Sequence, residues 1–381
     1  MRTRASTGIR LLAAVVALTT LCACGALGSG DKSTTPAEST SAADTVNWSA
    51  PALHTQLDGT TEKATYKPIA PAEVSKPWRI CVLFPHLKDS YWSATNYGTL
   101  IEAKRDKVSY QMFEAGGYDN LSKQVSQMND CISQKYDAII LGAISAKGLC
   151  AQIASALSKD IPVVDFINGV DCPDSEKNPK LSHAVVSFHD LAVTTANYMK
   201  THTKGKKAVV GFFPGPEGAG WSDAAVTGFT KTVQGSDVSI AVTRRGDTGK
   251  DVQLNLIDDA LKAYPDITDL VGVDIAAEAA VVAVRNANKQ GKVRVYAFDI
   301  IPPVFEDIKA GDAVGSPTDF TTIQGRMAVD QAVRMLEGEK LAAPKSGPIP
   351  KMITKANADS VPYQEMFAPR AFKATYSWNP S

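Results

Sequence analysis

Rings and carboxylates recur at one kind of place along this chain, just past short apolar runs. Asp89, Tyr91 and Trp92 follow the run 79–84. Tyr118 follows 108–114, beside Gly116 and Gly117, which let backbone approach closely. Asp165 closes 162–166, with Asn168 just beyond it, and Phe188 closes 184–188. Trp221 follows 207–213, Asp299 closes 293–298, and Asp319 stands at an expected crossover. None of these residues is Lys or Arg. Aromatic faces attract cations and carboxylates pair with them, so a desolvated cleft of this composition suits a cationic or strongly dipolar ligand. Tyr91 and Trp92 are adjacent, so they are not expected to face one core together. Asp274 closes 269–273 and is expected to cap a helix rather than touch a ligand.

Other chemistries lack their residues. Gly215, Gly218 and Gly220 are not followed by the Gly-Lys-Ser/Thr that a phosphate loop needs, which argues against nucleotide binding. His86, His183, His189 and His202 show no metal-ligand spacing, and no metal or other cofactor is expected. The pattern Gly-x-Ser-x-Gly is absent and Ser90 has no local base, so no catalytic step is expected. Lys and Arg total 40 against 40 Asp and Glu. That balance gives no electrostatic pull toward nucleic acid.

The elements that must position these residues alternate. Strand-like runs at 79–84, 108–114, 138–141, 162–166 and 184–188 are separated by helical stretches at 91–107, 120–134 and 146–159. The alternation then restarts with strands at 207–213, 238–243, 269–273 and 293–298 and helices at 191–201, 221–233, 252–263 and 276–290. Near-continuous apolar strands with helical crossovers predict parallel sheets covered on both faces. The fold class expected is α/β, with two doubly wound parallel-sheet lobes. Ligands in such folds sit beyond the carboxyl ends of the strands, which is where the rings and acids fall.

The N-terminus reads as an address. Arg2, Arg4 and Arg10 precede the apolar run 11–21, which is too short for a comfortable membrane span. It ends in Leu21-Cys22-Ala23-Cys24-Gly25, the pattern of a lipoprotein signal with Cys24 as the lipidated residue. The expected layout is a signal peptide over 1–23, a flexible tether over 24–45 and an arm over 46–76. Cys81, Cys131, Cys150 and Cys172 lie in the body. An oxidising compartment permits disulfides, and four cysteines allow three pairings. The expected pairing is 81 with 131 and 150 with 172, with buried free thiols the alternative for the first pair.

The segments CVLFPHLKDSYWSATNYG and FEAGGYDNLSKQVSQMNDC resemble a type I periplasmic binding protein. FFPGPEGAGWSDAAVTGF, GDTGKDVQLNLIDDAL, AAEAAVVAVRNA and TIQGRMAVDQAVRMLEG extend the likeness. The resemblance is narrowest to members that present a methylated amine oxide to a sensor histidine kinase. It implies three hinge crossovers between lobes, with 77–188 plus 319–338 in lobe 1 and 189–318 plus 339–381 in lobe 2. It also implies an aromatic cage of Tyr91, Trp92 and Tyr118 with Asp89 as polar partner, and Phe188 where a tryptophan is usual. Asp299 stands where a second-lobe ring would be expected. Sugar-binding members resemble the chain there, and again at Asp165. The expected function is that of an extracytoplasmic, lipid-anchored solute-binding protein. It would close on a small ligand, trimethylamine N-oxide or a related amine, and signal to a membrane sensor histidine kinase. The alternative is a sugar- or polyol-binding component of an ABC importer, with an ABC permease as partner.

Overall fold

The computed structural model describes residues 47–380. The signal peptide, Cys24 and the tether lie outside the described residues. In chain order the first elements are β1 (Ala50–Thr55), β2 (Thr61–Tyr66), β3 (Arg79–Phe84), α1 (Ser90–Asp106), β4 (Ser109–Glu114), α2 (Leu121–Ser133), β5 (Ala138–Leu141), α3 (Cys150–Ser158), β6 (Val163–Phe166) and β7 (Leu181–Ala184). Then follow α4 (Phe188–His202), β8 (Ala208–Phe213), α5 (Gly220–Val233), β9 (Val238–Thr243), α6 (Lys250–Ala263), β10 (Asp269–Gly272), α7 (Asp274–Asn286), β11 (Arg294–Ala297) and α8 (Pro302–Ala310). The last are β12 (Gly315–Thr318), α9 (Thr321–Leu336), β13 (Lys345–Pro348), β14 (Lys351–Thr354), α10 (Tyr363–Met366) and β15 (Ser377–Trp378).

Two sheets result. One runs β15-β4-β3-β5-β6-β7-β13-β1-β2 and the other β14-β12-β11-β10-β8-β9. Their central strands are parallel, and antiparallel strands occur only at the margins. Strands such as Ala138–Leu141 and Asp269–Gly272 are buried at every residue, as helices on both faces require. The chain passes between the two sheets after β7, after β12, between β13 and β14, and once more between β14 and β15. The first three are the hinge crossovers that the resemblance implied, and the fourth is made by the C-terminal tail.

Two differences from the sequence expectation concern the ends of the body. The segment 339–381 does not belong wholly to the second lobe, because β13 and β15 pair within the nine-stranded sheet. The run Lys345–Pro348 has no apolar alternation to betray a strand. It fits there because Gly347 packs on the Val185 carbonyl, where a Cβ would lie 2.0 Å away. The arm is likewise part of that sheet, since β1 pairs with β13 and β2 with β1. Buried charge fastens it. The Trp48 indole donates to Glu102 at 3.0 Å, and Glu102 also holds Arg105 and Arg326. Asp330 accepts the Tyr66 hydroxyl and the Ile69 amide.

A third difference is local. Residues 184–188 do not form a strand: β7 ends at Ala184 and Phe188 opens α4. Ser187 starts that helix by accepting the Asp190 amide at 3.2 Å. The cysteines join as Cys81–Cys131 and Cys150–Cys172, with Cα separations of 6.1 and 5.4 Å. Both bridges lie in the first lobe.

Glycine sets how closely the helices pack. A Cβ on Gly98 of α1 would lie 2.1 Å from the Thr322 carbonyl of α9, and one on Gly325 of α9 would lie 2.5 Å from Thr95. In the second lobe a Cβ on Gly228 would lie 2.3 Å from the His189 carbonyl. Backbone is the obstacle each time, so helices must separate to admit a methyl. Gly325→Ala is expected to lose about 1–3 kcal/mol of stability, the usual cost of overpacking. Urea denaturation checks this, and an unshifted midpoint would mean the helices are not in such contact.

Candidate functional site

A small cavity lies between the lobes at the carboxyl ends of the parallel strands. His86, Asp89, Tyr91, Trp92, Tyr118 and Asn168 come to it from the first lobe. Trp221, Thr248, Val273, Asp274 and Asp299 come from the second, and Phe188 stands beside the first crossover. The end of β3 delivers four of them and the other strand ends one or two each, which is the geometric reason a doubly wound fold binds there.

The rings form a continuous wall. Centroids are 6.0 Å apart for Tyr91–Trp92, 6.1 Å for His86–Trp92 and 5.3 Å for His86–Tyr118. Tyr118 meets Trp221 at 5.8 Å, and Phe188 meets Trp221 at 5.4 Å. Trp92 is bedded on Phe84 and Phe166. Both tryptophans rest on glycine. A Cβ on Gly142 would lie 2.7 Å from the Trp92 ring, and one on Gly215 would lie 2.4 Å from the Trp221 ring. Gly215 also has a φ of +99°, which a side chain would strain. The Gly215–Gly220 segment is thus a seat for a ring, and Gly220 lies close against Ala146 of the other lobe.

Contacts across the cleft hold the lobes together in this structure. Lys88 pairs with Asp247 at 2.8 Å, and Thr248 Oγ1 lies 3.3 Å from His86 Nε2. The Tyr118–Trp221 contact also joins the two lobes.

The carboxylates are tied to backbone. Asp89 accepts the Trp92 amide at 3.1 Å, as the N-cap of α1. Asp274 accepts the Ile275 amide at 2.6 Å, and Asp299 accepts the Asp274 amide at 2.8 Å. Burial pushes Asp274 and Asp299 well above the ordinary carboxylate range, and neighbouring carboxylates push further: Asp299 and Asp89 on Asp274, Asp319 on Asp299. Burial also raises Asp89, against the pull of His86. His86 itself is lowered, chiefly by burial, against the pull of Asp89. Among the described residues no Lys or Arg borders the cavity, and no three His, Cys, Asp or Glu side chains group as a metal would require.

Two residues expected in the site are elsewhere. Asp165 lies on the opposite face of β6 from Phe166, because strand side chains alternate. It faces its cross-strand neighbour His183, whose Nδ1 is 3.0 Å away, and it accepts the Val170 amide. Asp319 sits one layer behind the cavity. It accepts the Tyr91 hydroxyl and the Gln324 amide, so it aims Tyr91. Burial raises Asp319 to about 6, although those hydrogen bonds oppose the rise. Asp274, expected only to cap, borders the cavity as well. His86 and Thr248 were not anticipated. Both follow strand ends, so the same rule would have found them had it not been confined to rings and acids. Asn168 donates to the Tyr118 hydroxyl and the Ala143 carbonyl, at 3.1 and 2.7 Å, and so fixes that ring.

Residues 80–340 match the periplasmic binding protein domain. The chain is 32% identical to periplasmic protein TorT of Escherichia coli K12 over 314 residues, 82% of this chain and 88% of that one. Among solved structures it is similar to an ABC transporter solute-binding protein from Bradyrhizobium sp. BTAi1 with bound bis-tris. The TM-score is 0.73 and the identity 40%, over 86% of this chain and 98% of that one. It is also similar to the TorS sensor domain–TorT complex in the presence of TMAO, with TM-score 0.70 and 27% identity over 78% and 99% of the two chains. This chain belongs to the periplasmic binding protein family. It is a solute-binding protein of the extracytoplasmic space, not an enzyme, and TorT is among its relatives.

The Asp165–His183 pair has a testable pH signature. Burial lowers His183, but hydrogen bonds to Asp165 and Glu176 outweigh it and carry it to about 9. An unperturbed histidine titrates near about 6.5. The pair's stabilisation is therefore complete below about pH 6.5 and is lost as pH rises through about 9. His183→Gln should lower the melting temperature at pH 6 and flatten its fall between pH 7 and 10. Parallel melting curves for both proteins across that range would refute the ion pair.

Proposed function

We propose that this protein closes on a small amine, trimethylamine N-oxide or a relative of it, and that a membrane sensor histidine kinase reads the closed form. The observation that carries this is the ring wall of Tyr91, Trp92, Tyr118, Phe188 and Trp221 around Asp89, Asp274 and Asp299. Faces of that kind hold methylated nitrogen through cation–π attraction. Ligand energy would be spent on a population shift between open and closed lobes. The likeness to TorT, solved with the TorS sensor domain in the presence of TMAO, supports the kinase as partner. Lipidation at Cys24 would keep the protein beside such a membrane partner.

One observation favours a second reading, delivery to an ABC permease. The Bradyrhizobium solute-binding protein holds bis-tris, a tertiary amine carrying several hydroxyls. A polyol or sugar importer would use Asp274 and Asp299 as hydroxyl acceptors.

A thermal-shift screen against amine oxides, methylated amines and sugars tests both readings. A ligand at about a hundred times its dissociation constant adds about 2.7 kcal/mol. Trimethylamine N-oxide should raise the melting point beyond its general osmolyte effect. Trp92→Leu keeps an apolar filler on Phe84 and Phe166 but removes the ring face, so the ligand-dependent rise should vanish while the unliganded fold persists. A rise given only by sugars would move the reading to import.

A further inference from the structure

We infer that the ligand selected by this cleft carries a full positive charge, an organic cation rather than a neutral dipole or a polyol. The inference rests on the amine-binding reading above and narrows it from trimethylamine N-oxide, a neutral dipole, to a cationic relative of the same shape. Three acids converge on one cage from both lobes, Asp89 from the first and Asp274 and Asp299 from the second. Each commits one oxygen, Oδ1, to a backbone amide. For Asp89 the other oxygen lies 3.7 Å from His86. Lys88 is engaged by Asp247 and does not border the cavity.

Donors are fewer than acceptors. An amine oxide brings an oxygen that needs donors in a dry site. The Tyr91 hydroxyl already donates to Asp319, and both protons of the Asn168 amide are used. What remains is the buried, unpartnered Trp221 indole N–H and the Tyr118 hydroxyl proton. Against these stand the three acids and the aromatic faces, and both are answered by a cation.

Charge neutralisation has a consequence that can be measured. Around the three acids stand His86, Lys88, Asp247 and Glu114, with Asp319, Tyr91 and Tyr118 on the remaining sides. Burial and mutual repulsion raise the acids toward their neutral forms. An entering cation favours the ionised forms, so protons leave as it binds. Affinity for a cation then rises with pH, by about tenfold per pH unit for each proton released. A neutral dipole or polyol held by a protonated carboxyl would show the opposite slope.

The experiment is calorimetric titration of the full chain with tetramethylammonium, with trimethylamine N-oxide and with xylitol, at pH 6 and pH 8. The first two share a shape and differ in charge. Two buffers of different ionisation heat, neither of them an amine, report proton release. The expected result is that tetramethylammonium binds more tightly than the other two at pH 8, binds more tightly at pH 8 than at pH 6, and releases protons. Asp299→Asn keeps the oxygen that accepts the Asp274 amide. It should weaken tetramethylammonium about tenfold at pH 8 without lowering the unliganded melting point. Tighter binding of trimethylamine N-oxide than of the cation, or affinity that falls as pH rises, would overturn the cation while leaving the amine site standing. Binding of xylitol alone would overturn both.

Discussion

Acids brought together in a dry cavity resist ionising and repel one another when they do, and Asp89, Asp274 and Asp299 are held there against that cost. What holds them is backbone. Asp89 caps α1, Asp299 accepts the amide that opens α7, and Asp274 accepts the next amide along. Helix N-termini favour negative charge, so the two lobes spend helix ends on keeping acids in place. Much of the surrounding architecture follows from that requirement. Parallel strands deliver helix starts to one edge of each sheet, and the crossovers turn the two edges toward each other.

The rings obey the same logic from the apolar side. The outer edge of each indole fits against glycine where a side chain would intrude, Trp92 at Gly142 and Trp221 at Gly215. Tyr91 is aimed by Asp319, and Tyr118 by Asn168. The wall is therefore fixed within each lobe by that lobe's own residues, and the Tyr118–Trp221 contact spans the two. A solute touching both lobes contributes differential contact to the closed form, which is the physical requirement for coupling binding to shape.

Much of this was legible in the residues. The alternation of apolar runs gave the two sheets, and the strand-end rule reached Asp89, Tyr91, Trp92, Tyr118, Trp221 and Asp299, all of which border the cavity. Phe188 also borders it, but from a helix start rather than a strand end, because Ser187 is a cap. Asp165 failed by a single position, since one step along a strand reverses the face. Asp319 failed by depth, because a sequence does not say which of two acids stands in front. The β13 strand was illegible for another reason. It consists of Lys, Ser, Gly and Pro, and only its neighbours in three dimensions make it a strand.

The interleaving of the chain bears on how the molecule is made. The second lobe is nearly continuous in sequence, from α4 to β12, so most of its sheet can pair before the C-terminal segment is available. The first lobe is not. Its sheet lacks β13 and β15, and α1 lacks its partner α9, until the last sixty or so residues of chain are available. Non-local pairing of this kind is slow to form. A chain emerging N-terminus first would thus begin the first lobe early and finish it last, with Glu102 lacking Arg326 and the Tyr66 hydroxyl lacking Asp330 until α9 arrives. Two disulfides confined to that lobe shorten the wait in conformational terms, by limiting what its early half can explore while the remainder is still arriving.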